Sequence, residues 1–139
     1  MHVGSFTNSF ISNHTMKNRI FFLAVGFFAV LSAMAQTKNV SPAFAEKKFN
    51  KKKVVVLDVR TTQEFNEGHL PNAVHIDVMD SVAFVQQVAT LKKSKTYLVY
   101  CKSGRRSAKA ATIMEQQGFR HIWNMEGGIT AWKGTKTIK

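Results

Sequence analysis

The chain has 139 residues, 45% of them hydrophobic, and carries 20 Lys and Arg against 8 Asp and Glu, a formal net charge of +12. That length favours one domain of ordinary size and leaves no room for a second. A single Cys excludes an intramolecular disulfide framework, and the five His show no ligand spacing, so neither a metal nor a cofactor is expected.

From residue 16, MKNR is a short basic start, IFFLAVGFFAVLSA at 20–33 is apolar, and Ala33-Met34-Ala35 matches an A-x-A cleavage site. This reads as a secretory signal removed after Ala35. It divides the chain into an upstream region and signal over 1–35 and one domain over 36–139. The competing reading is an uncleaved anchor, which would be the only membrane attachment; the run is short for a span, and QTKNVS returns at once to polar residues. Residues 1–15 resemble neither signal nor fold, which makes Met16 a candidate start. Cleavage would leave 104 residues with a net charge of +10, since Lys17 and Arg19 depart with the signal. A domain of that size buries roughly two thirds of its unfolded surface and can fold without staples. The expected location is periplasmic or secreted, where a lone thiol is a liability unless buried or useful. The positive charge suits anionic partners. Its clusters, EKKFNKKK near 46–53 and KKSK at 92–95, are spread over several elements without a recognition motif. They read as a solvated basic face, and no nucleic-acid binding is expected.

Along the domain, Ser41-Pro42 supplies an N-cap and a proline at the first helical position, with Phe44, Ala45 and Phe49 as the apolar face of a helix over about 42–50. VVVLDV at 54–59 is a continuous β-branched run, the pattern of a strand covered on both faces, with Asp58 and Arg60 at its C-terminal edge. Thr61-Thr62-Gln63-Glu64 is a capping box opening a short helix, EGHLPNA at 67–73 is turn chemistry, and VHIDV at 74–78 is a second strand. Ser81 then caps a helix whose Val82, Val85, Val88 and Ala89 recur at helical spacing. YLVYC at 97–101 is a buried strand, and SAKAATIMEQQG at 107–118 a helix with Gly118 just past its end. HIWNM is a last strand, followed by Gly127-Gly128 and a short helix around Trp132. Strands alternating with helices imply βαβ units: an α/β fold with a central parallel sheet of about four to five strands and helices on both faces.

Cys101 alone would be a small buried hydrophobe. Its surroundings change that reading. KSGRR, between the strand end and the helix start, lies at the C-terminal edge of the sheet, where α/β proteins place ligands. Gly104 permits a loop whose N–H groups turn inward, the helix start adds roughly half a positive charge, and Lys102, Arg105 and Arg106 add more. Each favours thiolate over thiol and lowers a cysteine pKa to somewhere between roughly 3.5 and 7.5. The same cradle holds an anion against the sulfur, which suits a substrate with an oxyanionic group beside an electrophilic atom.

The residues from about 38 to 133 resemble a single-domain rhodanese, a thiosulfate or persulfide sulfurtransferase. The pieces that match are LDVRTTQEFNEGHLPNAVHI at 57–76, VYCKSGRRSAKAA at 99–111 and GFRHIWNMEGGITAW at 118–132. The resemblance implies that Cys101 carries a persulfide between two half-reactions and that the loop Lys102, Ser103, Gly104, Arg105, Arg106, with Ser107 after it, binds the sulfane sulfur. The donor it implies is a small anion such as thiosulfate; the acceptor is a thiol or cyanide, with a protein thiol as a further partner. A non-enzymatic sulfane-sulfur carrier or protein-binding module is the alternative. Phosphatases and arsenate reductases of similar fold use a loop of Cys, five residues, then Arg, whereas Ser107 stands at that position here.

The remaining polar residues are expected to support this site. Asp58 ties loops together as an acceptor, and Arg60 is expected to pair with Glu64 or Glu67. His69, in GHLPNA, is expected to be a turn histidine, since a thiolate already formed needs no base. His75 and His121 are placed in strands with structural roles, and Trp123 and Trp132 in the core.

Overall fold

The computed structural model describes residues 36–138 together with Met1, so the signal and start-site readings on residues 16–35 lie outside the described residues. The elements are β1 (Lys38–Val40), α1 (Pro42–Lys48), β2 (Val54–Asp58), α2 (Thr62–Glu67), β3 (Val74–His75), α3 (Ser81–Ala89), β4 (Thr96–Tyr100), α4 (Arg105–Gln116), β5 (Ile122–Met125) and α5 (Gly128–Ala131). The strands form one sheet in the order β1-β5-β4-β2-β3, and every neighbouring pair is parallel. No helix of the described residues is long and apolar enough to cross a membrane.

Chain order reverses direction between β3 and β4, so β2 and β4 lie side by side at the point where successive connections go opposite ways. In open α/β sheets the crevice beyond that point is where ligands bind. Here it is bounded by the C-terminal ends of β2 and β4, at Asp58 and Tyr100, which are register partners.

The period-2 alternation of the central strands sorts their side chains onto two cores. Leu57, Val59, Tyr97, Val99 and Cys101 pack with Phe84, Val88, Ala110, Ala111 and Met114 of α3 and α4. Val56, Leu98 and Tyr100 pack on the other face with Ala45 of α1, Leu70, Ile129 and Trp132. Small residues on α4 let that helix lie close to β4, and the fully buried Met114 fills the space beyond them.

Several expectations shift. β1 has no counterpart among the expected strands: three mostly exposed residues at a sheet edge carry no apolar run to announce it. The strand expected over 74–78 is regular only at Val74 and His75, although Ile76 N and Val78 N still donate to Asp58 O and Val59 O at 3.0 and 3.3 Å. α3 is capped by Asp80, whose carboxylate accepts from Ala83 N, rather than by Ser81. Its buried face is Phe84 and Val88, whereas Val82 is 71% exposed and Ala89 is exposed too. The valines at 82 and 85 share a helical period with 88, but the one aromatic in the helix fixes which side turns to the sheet. α4 begins at Arg105, two residues before the expected start. His121 precedes β5 and is exposed rather than within the strand.

Candidate functional site

Cys101 follows the last residue of β4 and keeps that strand's alternation, so its side chain turns to the face covered by α4 and lies under the first turn of that helix. The reversal from strand to helix takes three residues, Lys102 to Gly104. Gly104 is the N-cap, at φ +101°, a backbone angle that a side chain would strain.

This tight turn gathers donors around the sulfur. Gly104 N donates to Cys101 Sγ at 3.1 Å. Ser107 Oγ lies 3.5 Å from Sγ and 3.0 Å from Gly104 O, so its single proton serves one or the other. The N–H groups of Ser103 and Ser107 also stabilise the sulfur. Burial pushes the Cys101 thiol up, but the Ser107 hydroxyl and the N–H groups of Ser107, Ser103 and Gly104 together outweigh it, and its pKa lies below the ordinary value. The electrostatic expectation from sequence therefore holds in direction. The thiol itself is buried: Cys101 is 1% exposed, covered by a loop whose Lys102 and Ser103 face solvent.

The loop is fixed from behind by a second turn. Ile129 N donates to Cys101 O at 2.9 Å, and Thr130 donates to Lys102 O through N at 3.1 Å and Oγ1 at 2.9 Å. In a planar trans peptide C=O and N–H point opposite ways. Holding the Lys102 carbonyl outward therefore turns Ser103 N–H toward the sulfur. Gly128 lets the two turns meet, since a Cβ there would stand 2.4 Å from Cys101 O and 2.5 Å from Lys102 C and O.

Arg106 is the cation that the fold brings to the thiol. Its guanidinium grips Glu64 with two parallel bonds, Nη1 to Oε2 and Nη2 to Oε1, each 2.7 Å. Its pKa is raised by Glu64 first, against a lowering by burial, and further by the Cys101 charge. Glu64 closes the capping box of α2, accepting from Thr61 N at 3.1 Å and Thr61 Oγ1 at 3.0 Å. Arg106 foremost, with those Thr61 bonds and against the opposing effect of burial, holds the carboxyl down at about 2. The side chains of Lys102 and Arg105 are exposed and add only longer-range charge.

Arg60 does not pair with Glu64 or Glu67. It folds back on Asp58, with Nε at 3.0 and 3.1 Å from the two carboxylate oxygens and Nη2 at 2.6 Å from Oδ2, and Nη2 also donates to Gly68 O at 2.7 Å. Tyr100 OH donates to Asp58 Oδ2 at 2.6 Å and accepts from Leu70 N at 3.0 Å. The reason is burial: Arg60 and Asp58 are 5% and 0% exposed, and a buried guanidinium must meet a buried carboxylate. Because Asp58 and Tyr100 point to the sheet face opposite Cys101, this network braces the GHLP turn and does not touch the sulfur. His69 stacks on Phe65 with ring centroids 3.8 Å apart and bonds Phe65 O through Nδ1 at 2.9 Å, and His75 bonds Arg60 O through Nε2 at 2.7 Å. Both serve the turn. Among the described residues no three His, Cys, Asp or Glu side chains converge as metal ligands would.

The contributions of Gly128, Ile129 and Thr130 are not legible in sequence, where GGIT reads only as a turn and a helix start. They act through backbone groups of another loop, and no residue type signals that.

A family model for the rhodanese-like domain matches residues 41–135. The chain belongs to that family. This rhodanese-like domain is 36% identical over 100 residues to YtwF of Bacillus subtilis (strain 168), an alignment covering 71% of the chain and 93% of YtwF. It is 30% identical over 102 residues to thiosulfate sulfurtransferase GlpE of Pseudomonas savastanoi pv. phaseolicola, covering 73% of the chain and 92% of that protein. Among solved structures, a rhodanese-like domain protein from Staphylococcus aureus superposes with a TM-score of 0.64 at 32% identity, covering 74% of this chain and 99% of that one. Longer proteins also match; the chain spans 31% of the tRNA uridine(34) hydroxylase of Pelagibacter ubique.

Proposed function

We propose that this protein is a sulfurtransferase that moves a sulfane sulfur from thiosulfate or a persulfide to a thiol or cyanide through a persulfide on Cys101. The reading rests on one observation above all: the sole sulfur nucleophile is ringed by N–H groups and a hydroxyl that favour its thiolate. Similarity to GlpE, a thiosulfate sulfurtransferase over nearly its whole length, supports the choice of donor.

In the first half-reaction the thiolate attacks the outer sulfur of thiosulfate. A new S–S bond forms at Cys101 while the old one breaks, and sulfite leaves with its electron pair. In the second, cyanide or an acceptor thiolate attacks the outer sulfur of the persulfide, and the Cys101 thiolate is the leaving group. The N–H groups of Ser103, Gly104 and Ser107 hold the negative sulfur in both, so no general base is needed. The loop is too short to wrap a phosphoryl group: α4 already starts at Arg105, and Arg106 is occupied by Glu64.

The basic, apolar and A-x-A pattern at 16–35 supports an exported protein cut after Ala35. Intact mass after incubation with thiosulfate tests the chemistry: one added sulfur on wild type, discharged by cyanide, and none on Cys101→Ser. Sulfur transfer by the serine variant would refute the assignment. N-terminal sequencing of the protein from its native envelope tests cleavage, and a start at Gln36 is expected.

A further inference from the structure

The C-terminal edge of the sheet carries cations and carboxylates together, among them Arg60, Lys102, Arg105 and Arg106, whereas cations dominate the N-terminal edge. Since all five strands are parallel, their N-terminal ends lie together, and so do the residues leading into them. Lys38 opens β1; Lys51, Lys52 and Lys53 precede β2; Lys92, Lys93 and Lys95 precede β4. Local bonds tie these segments side by side: Lys95 Nζ donates to Lys52 O at 3.1 Å and Thr96 N to Lys53 O at 3.0 Å. Five of the eight carboxylates, Asp58, Glu64, Asp77, Asp80 and Glu126, lie at strand ends or helix starts of the opposite edge. Of the other three, Glu67 ends α2, Glu115 accepts from Thr37 N and Oγ1 at 2.6 and 2.7 Å, and Glu46 lies in α1. Clusters that look scattered along the sequence are one surface in the fold.

Part of that charge complements helix C-termini, which reach this edge at α1, α3 and α4. The excess exceeds that need, and the lysines of 51–53 are all exposed. A recess of about 190 Å³ on the same edge, lined by Lys38, Arg120 and His121, is of headgroup size. Gln36 and Thr37 lead into β1 at this edge, because β1 runs parallel to the rest and begins here. Cleavage after Ala35 would place a new α-amino group at the same place.

We propose that this basic edge docks on an anionic phospholipid surface and holds the domain with Cys101 facing away from the lipid. Charge complementarity supplies the attraction, and the export reading above, on which the choice of occupant rests, brings the domain to membrane lipid rather than to nucleic acid. Five-residue strands separate the two edges by roughly 16 Å, so the loop over Cys101 stays open to solvent while the lysines touch headgroups. The proposal is independent of the sulfur chemistry.

The test is sedimentation of residues 36–139 with phosphatidylglycerol-containing vesicles and with pure phosphatidylcholine vesicles. The Staphylococcus aureus chain, aligned over 99% of its length to 74% of this chain, folds as such a domain alone. Binding is expected only to the anionic vesicles, with salt weakening it. Each exposed lysine near the surface contributes roughly fivefold, so Lys51→Gln, Lys52→Gln and Lys53→Gln combined should weaken binding about 100-fold. Lys92→Gln with Lys93→Gln is a second, independent variant, and circular dichroism checks that each is folded. Lys109→Gln, Lys133→Gln and Lys136→Gln combined, on the other edge, should leave binding within about threefold. Alkylation of Cys101 should proceed as fast on vesicles as in solution. Equal losses from the two edges, protection of Cys101 by vesicles, or tighter binding to duplex DNA than to anionic lipid would each overturn the proposal.

Discussion

The Glu64–Arg106 pair joins the capping of α2 to the loop that carries the nucleophile, and Glu64→Gln is the perturbation that separates its two roles. A carboxyl brought from an ordinary 4.5 to about 2 corresponds to roughly 3 kcal/mol of preference for the charged form in the folded state. The side chains are 26% and 25% exposed, and solvent screening reduces the share that appears as stability to about 1–2 kcal/mol. The sign follows from the depressed pKa. The contribution is complete above the unfolded value near 4.5 and is lost as pH falls through the folded value near 2. Urea unfolding of wild type and Glu64→Gln at pH 7 and pH 3 is the assay. A difference of about 1–2 kcal/mol at pH 7 that narrows at pH 3 is expected. With its amide oxygen at the Oε2 position the glutamine keeps both Thr61 bonds, but its amide nitrogen cannot accept from Arg106 Nη2, so Arg106 should move and Cys101 should alkylate with a midpoint at a different pH from wild type. A stability gap that stays constant between the two pH values, with an unchanged Cys101 profile, would refute the reasoning.

Three other perturbations have defined outcomes. Ser107→Ala removes the hydroxyl that faces the sulfur and should move the midpoint of iodoacetamide alkylation of Cys101 to higher pH, because one contribution opposing burial is gone. Gly128→Ala puts a methyl into the carbonyls of Cys101 and Lys102 at a residue with φ +55°; thermal unfolding should report a loss of about 2–4 kcal/mol, and sulfur loading should fall with it. Tyr100→Phe leaves Leu70 N unpaired and removes a donor to Asp58, costing about 1–3 kcal/mol in urea unfolding. Since Tyr100 points away from Cys101, the alkylation profile of that variant should match wild type.

The different legibility of these parts has a physical basis. Cys101, the Gly104 turn and the Thr61–Glu64 capping box could be read from the chain because each depends on neighbours a few residues apart. The partner of Arg60 could not: three carboxylates lay within reach along the sequence, and only burial on one face of the sheet selects Asp58. β1 carries no sequence signal because an exposed three-residue edge strand has no periodicity to show, and the apolar face of α3 is ambiguous in sequence because its valines and Phe84 form two overlapping helical stripes.

By itself the sequence determined the alternation of strands and helices, the position of the lone thiol at a strand end, and the donors that follow it. These are short-range matters, set by backbone preference and the period of apolar residues. Only the tertiary structure decided that Ile129 and Thr130 aim the loop by holding its carbonyls, that Arg106 rather than Lys102 or Arg105 stands with Glu64 beside the sulfur, and that lysines from three separate segments share one edge. Parallel pairing is the cause in the last case: it brings together strand ends far apart in the chain, and no local pattern of residues encodes that meeting.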